Sequence, residues 1–130
     1  MHKTLALLNL TLTLSLSAWM APAHALDIAA YSAQTLMAKQ QAGETVGLHF
    51  HAAWCPTCRA QEKVFNTFKD DATVPGTLLV VDYDQERELK REMGVRSQST
   101  LIIYKGKEQK HRSGGQTDAQ ALRAAWLSAK

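Results

Sequence analysis

Between Val46 and Phe68 the hydrophobic pattern changes period, and the change falls on Cys55-Pro56-Thr57-Cys58. Val46, Leu48 and Phe50 alternate with Gly47, His49 and His51, the period of a strand, so the two histidines share one face. After the cysteines, Val64, Phe65 and Phe68 recur at helical spacing, a stripe expected to end near Asp70. A strand that feeds directly into a helix, with further strands and helices behind it, predicts α/β packing. Its two thiols then lie one helical turn apart at the carboxyl end of a main strand.

The rest of the chain supplies that packing. From Ser32 to Gln41, Ala33, Leu36 and Met37 have helical spacing, and Gly43 follows where a helix would stop. Pro75-Gly76 marks a turn, and Thr77 to Val81 is a continuous apolar run, as in a strand covered on both faces. Asp84 is the expected cap of a short helix bearing Leu89 and Met93, with Gly94 at its end. A strand from Thr100 to Tyr104 turns at Lys105-Gly106-Lys107 onto a polar strand near Glu108 to Arg112, and Gly114-Gly115 ends this hairpin. Thr117 and Gln120 have the spacing of a capping box before a terminal helix whose Leu122 and Trp126 share a face. The predicted order is helix, strand, helix, strand, helix, hairpin, helix.

Residues 1–25 read as an export signal: His2 and Lys3, leucines from Leu5 to Leu16, then Ala23-His24-Ala25. Cleavage is expected after Ala25, leaving one domain over 26–130 with no stable membrane insertion. An uncleaved anchor is the competing reading, but the apolar run is short for a span of about 20 residues and is diluted by Asn9, Thr11, Thr13 and Ser15. Without Lys3 the balance is fourteen basic against twelve acidic residues, a net charge of +2. That charge is small and scattered, apart from Lys105, Lys107, Lys110 and Arg112 on the hairpin, and it argues against a nucleic-acid partner.

Cys55 and Cys58 are the only cysteines, so they cannot form part of a larger disulfide framework or a four-thiolate zinc site. Haem attachment wants a histidine directly after the second cysteine, where Arg59 stands. Over essentially the whole of 26–130 the chain resembles the thioredoxin family. The resemblance rests on Ala53-Trp54-Cys55-Pro56-Thr57-Cys58-Arg59 at the strand-to-helix junction and on Gly94-Val95-Arg96-Ser97-Gln98-Ser99-Thr100-Leu101 before the hairpin. It implies a thioredoxin-like fold, a central mixed sheet of four or five strands flanked by helices. It also implies thiol-disulfide exchange with cysteine-containing proteins and no separate cofactor.

The chemistry needs unequal cysteines. Cys55 at the helix start meets unpaired backbone N–H groups and the positive end of the dipole, which favour a thiolate, and Pro56 loses nothing at the first helical position. Cys55 is therefore the expected attacking sulfur and Cys58, a turn deeper, the resolving one. A disulfide that closes a single turn gains little as a brace. Trp54 is expected to shield the disulfide and offer an apolar contact, with ordinary core packing as the other reading. Thr57 lies between the thiols and does not decide the direction of electron flow.

Three positions depart from the family pattern. His49 stands where thioredoxins carry a buried aspartate, and Val80 where a lysine accompanies it. A neutral His49 can accept the Cys58 proton, a protonated one stabilises a thiolate, and a core histidine bonded to backbone does neither. Ser99 replaces a proline that in the family is cis and faces the cysteines. A cis bond to serine costs about 2.5 to 4 kcal/mol, so trans geometry is expected at Gln98-Ser99, with a hydroxyl and an N–H that proline lacks. The alternative function is a zinc- or copper-binding module using the cysteines with His49 or His51. The function expected from these features is that of an exported, periplasmic oxidoreductase of undecided direction, served by a membrane or periplasmic redox partner.

Overall fold

The computed structural model describes residues 25–130. Apart from Ala25, the expected leader lies outside them. The elements run β1 (Asp27–Ala30), α1 (Ala33–Gln41), β2 (Thr45–His51), α2 (Pro56–Phe68), β3 (Thr77–Asp82), α3 (Arg87–Glu92), β4 (Thr100–Lys105), β5 (Glu108–Gly114) and α4 (Ala119–Leu127). The strands form one mixed sheet in the order β1-β3-β2-β4-β5. β3 is parallel to both β1 and β2, whereas β4 is antiparallel to β2 and β5 to β4. The thioredoxin-like fold with its mixed five-stranded sheet is as the sequence predicts. No helix among the described residues is long and apolar enough to cross a membrane.

The two faces of the sheet bury separate cores. Val46, Leu48 and Phe50 of β2 join Leu79, Val81 and Ile102 against Leu36 of α1 and Leu89 of α3. On the other face Leu78, Leu101 and Ile103 pack with Phe65 and Phe68 of α2 and Leu122 and Trp126 of α4. Strand alternation therefore turns Gly47, His49 and His51 toward α2 and α4. The central strand β2 is buried from Thr45 to Phe50, a position that fixes whatever it carries at its carboxyl end.

Gly47 shows why the strand reads as it does. A Cβ there would lie 2.5 Å from Cζ3 and 2.9 Å from Cη2 of Trp126, and 3.1 Å from Leu78. The indole sits directly over the strand backbone, anchored by its Nε1–H to Pro75 O at 2.7 Å. Gly47→Ala is expected to cost about 1 to 3 kcal/mol through overpacking, read as a lower urea midpoint at unchanged slope.

Four local expectations are corrected. β1 is an additional strand, a four-residue edge element whose exposure pattern does not alternate. In α1 only Leu36 is buried; Met37 is 53% exposed, so that stripe is narrower than its spacing suggests. Asp84 does not cap α3: Glu86 is its N-cap and makes no side-chain cap bond, while Asp82 Oδ1 accepts from the N–H groups of Asp84 and Gln85. The cap of α4 is Asp118, whose carboxylate accepts from Ala121 N–H at 2.8 Å, in place of the Thr117–Gln120 box.

Candidate active site

β2 ends at His51, and Cys55 is the N-cap residue of α2, with Pro56 in the first turn. Its extended backbone (φ −86°, ψ 115°) aims the sulfur back at the helix start, where Cys58 N–H donates to Cys55 Sγ at 3.2 Å. This is the geometry of an anion held at a helix N-terminus. Both cysteines are free thiols; Cys55 is 3% and Cys58 0% exposed.

The environments of the two sulfurs differ. Burial on its own would raise the Cys55 pKa. Hydrogen bonds from the Cys58 thiol, the Ser99 hydroxyl and the backbone N–H groups of Cys58 and Thr57 outweigh it, bringing the value down to about 7. For Cys58, burial and its hydrogen bond to Cys55 push the pKa up from the ordinary thiol value. Near neutrality the pair therefore carries its charge on Cys55 and its proton on Cys58.

Ser99 lies against both. Its Oγ is 3.3 Å from Cys55 Sγ and 3.1 Å from Cys58 Sγ. The Gln98–Ser99 peptide is trans, as is every peptide bond among the described residues, and Ser99 has φ +63°. Serine in this left-handed region is held at a local cost of about 1 to 2 kcal/mol. Its backbone is fixed on both sides: Ser99 N–H donates to Phe50 O at 2.8 Å, and Ser99 O accepts from Gly115 N–H at 3.0 Å.

His49 is buried and neutral. Removal from water, opposed by the hydrogen bond to Gln61 and reinforced by His51, lowers its pKa to about 4. Gln61 Nε2 donates to Ser99 O at 3.1 Å and Gln116 O at 2.9 Å, so its Oε1 faces His49 Nε2 at 2.8 Å. Nε2 must therefore carry the imidazole proton. His49 makes this bond to a side chain, not to backbone, and makes none to either sulfur, while its ring stacks edgewise on Phe65 at 5.1 Å. A protonated His49 beside the thiolate is excluded at neutral pH.

The tool for locating Gln61 was in the sequence. Cys58, Gln61, Phe65 and Phe68 form the buried stripe of α2, and a glutamine inside such a stripe needs partners for its amide. Val80 lies across from His49 in the register of β2 and β3, so an apolar residue replaces any charge there. His51 is half-buried, with Nε2 3.6 Å from Glu62 Oε2, beyond hydrogen-bond reach.

Trp54 is 58% exposed, which removes the core-packing reading. Its Nε1–H donates to Asp84 Oδ2 at 2.9 Å, holding the indole over the surface beside the cysteine loop. Asp84, expected in a cap, serves here as the tether. Pro56 is exposed and Thr57 half-buried, and Arg59 donates to Ala53 O at 2.8 Å. Among the described residues no three His, Cys, Asp or Glu side chains are grouped to hold a metal ion, so the zinc or copper reading finds no third ligand among them.

His49 also sets a pH dependence. Its folded pKa of about 4 lies below an unfolded value of 6.5, so the unfolded chain binds more protons between them. Stability from this group is complete above about 6.5 and falls, by on the order of 3 kcal/mol in all, as pH drops toward 4. Urea midpoints at pH 7.5 and 4.5 should fall further apart in the parent protein than in His49→Gln, which does not titrate.

A family model described as Thioredoxin matches residues 27–128. The chain is 32% identical over 66 residues to the thioredoxin of Alicyclobacillus acidocaldarius subsp. acidocaldarius, aligning 51% of this chain with 63% of that protein. It is 26% identical over 69 residues to Thioredoxin H4 of Arabidopsis thaliana, covering 53% and 58% respectively. These alignments span less than two thirds of either relative's length. Trxlp from Edwardsiella tarda EIB202 superposes with a TM-score of 0.72 at 29% identity, over 77% of this chain and 98% of that one. Malassezia sympodialis thioredoxin (Mala s 13) shares the fold at a TM-score of 0.68 and 22% identity, over 81% and 93%. With the family model spanning almost all the described residues, and its cysteine loop at the end of the central strand, the chain belongs to the thioredoxin family.

Proposed function

We propose that this chain is an exported thiol-disulfide oxidoreductase that reduces disulfides in protein substrates outside the cytoplasm. The observation that carries the reading is the inequality of the two sulfurs. Cys55 at the helix start is stabilised as a thiolate, while Cys58 one turn deeper keeps its proton. The Cys55 thiolate attacks a substrate disulfide, forming a mixed disulfide and releasing one substrate thiolate. Cys58, once deprotonated, attacks the Cys55 sulfur and releases the second. Two electrons pass from the dithiol to the substrate, which leaves with both sulfurs as thiols after taking up two protons.

The way the thiolate is stabilised supports this direction. The groups that lower the Cys55 pKa are hydrogen-bond donors, His49 is neutral, and the value settles at about 7. A strongly oxidising dithiol has a thiolate stabilised far more, with a pKa of about 3.5, because that stabilises the reduced form. Trp54, exposed at the rim and tethered by Asp84, offers substrate an apolar contact. The leader features at residues 1–25 support export to a periplasm, and a reductant there needs a membrane electron donor to regenerate its dithiol.

Equilibration against glutathione tests the reading. A potential near about −270 mV is expected, one near about −120 mV would make the protein an oxidant, and no Cys55–Cys58 disulfide at any poise would defeat the enzyme reading.

A further inference from the structure

We infer that the Ser99 hydroxyl is a catalytic hydrogen-bond switch, donating to Cys55 in the dithiol and to Cys58 in the mixed disulfide. The inference rests on the disulfide-exchange reading and adds a residue to it. Ser99 Oγ is within reach of both sulfurs, 3.3 Å from Cys55 and 3.1 Å from Cys58. A hydroxyl has one proton, so it donates to one of the two sulfurs at a time. Its proton goes to whichever sulfur carries the charge.

The backbone keeps the hydroxyl in place as the charge moves. Ser99 N–H is bonded to Phe50 O, Ser99 O accepts from both Gly115 N–H and Gln61 Nε2, and φ is +63°. Gln61 is itself held by His49 and Gln116 O, so the buried histidine supports the serine loop from behind and does not touch the sulfurs. His49 is thereby a positioning residue.

In the dithiol, the Ser99 O–H and the Cys58 S–H both donate to the Cys55 thiolate. When Cys55 attacks a disulfide, a bond forms from its sulfur to one substrate sulfur and the substrate S–S bond breaks. Cys55 becomes neutral and the first substrate thiolate takes the Cys58 proton. The O–H then turns to the Cys58 thiolate, which attacks Cys55 Sγ. The Cys55–substrate bond breaks, the Cys55–Cys58 bond forms, and the second substrate thiolate takes a proton from water. The dithiol is oxidised by two electrons and the substrate disulfide reduced by two. The serine ends each cycle unchanged.

Ser99→Gly isolates this role, because glycine accepts a positive φ and removes only the hydroxymethyl group. The pH profile of Cys55 alkylation by iodoacetamide, mapped by mass spectrometry, should move up by about one unit, a tenfold smaller thiolate fraction below the midpoint. The mixed disulfide formed with oxidised glutathione should last about tenfold longer before glutathione is released. Ser99→Ala, with its hydroxyl also removed, should show the same two changes, and circular dichroism melting would report any loss of fold in either variant. An unmoved midpoint and an unmoved lifetime in a folded Ser99→Gly protein would overturn the inference. A parent protein that alkylates with the expected midpoint but never releases glutathione would instead overturn the exchange reading, while the midpoint shift still tests the hydroxyl.

Discussion

Cys55→Ser is expected to abolish disulfide exchange, lowering the rate about a thousandfold or more, because an alcohol at the helix start does not ionise near neutrality as the thiol does. Its partner should fail differently. Cys58→Ser keeps the attacking thiolate but removes the resolving sulfur, so exchange halts after one step and disulfide-linked substrate accumulates. Non-reducing electrophoresis of each variant after incubation with a disulfide-bonded protein reads the contrast: captured complexes with Cys58→Ser and none with Cys55→Ser. Equal capture by both variants would remove the distinction between the sulfurs on which the mechanism depends.

Trp126→Ala should be the most damaging of the packing changes, at about 3 to 5 kcal/mol. The indole is 1% exposed, covers Gly47 of the central strand and donates to Pro75 O. Truncation opens a cavity between α4 and the sheet and leaves the Pro75 carbonyl without that donor. For one domain of this size such a loss is a large share of the total stability, and a urea midpoint approaching zero is the expected reading. A drop no larger than that of an exposed substitution such as Met37→Ala would mean that α4 contributes little to the core.

Long-range features of the fold were legible because they repeat. Alternation through Val46, Leu48 and Phe50, and the unbroken run Thr77–Val81, identified the two central strands, since burial on one or both faces leaves those patterns in any sheet. The stripe Phe65–Phe68 located α2. Short and local features were less legible. β1 holds its place through parallel pairing with β3, and four residues at an edge have too few positions to show a period. Caps are less legible still: Thr117 stands beside Asp118, which makes the cap of α4, and Asp84 lies in a turn before α3, whose N-cap Glu86 makes no side-chain cap bond, because only the backbone path decides which side chain reaches a free N–H.

The same division holds for the site. The cysteine spacing and Pro56 announce a helix start, and the structure supplies that start with Cys55 as its cap. His49 and Ser99 were visible as departures from the family pattern, yet their contacts were not, because both depend on Gln61, which reaches across from α2 to join β2 to the loop before β4. The fold ties a neutral His49 to Gln61, a partner that its position alone does not indicate. Trp54 likewise owes its setting to Asp84, thirty residues away in sequence.

The most direct test of the account is the pH dependence of alkylation at each cysteine of the reduced, folded protein, resolved by peptide mapping. Cys55 is expected to react with a midpoint at about 7, while Cys58, buried and with its pKa raised, stays largely unmodified through the same range. Two thiols that react at the same rate and titrate together at the ordinary thiol pH would contradict it.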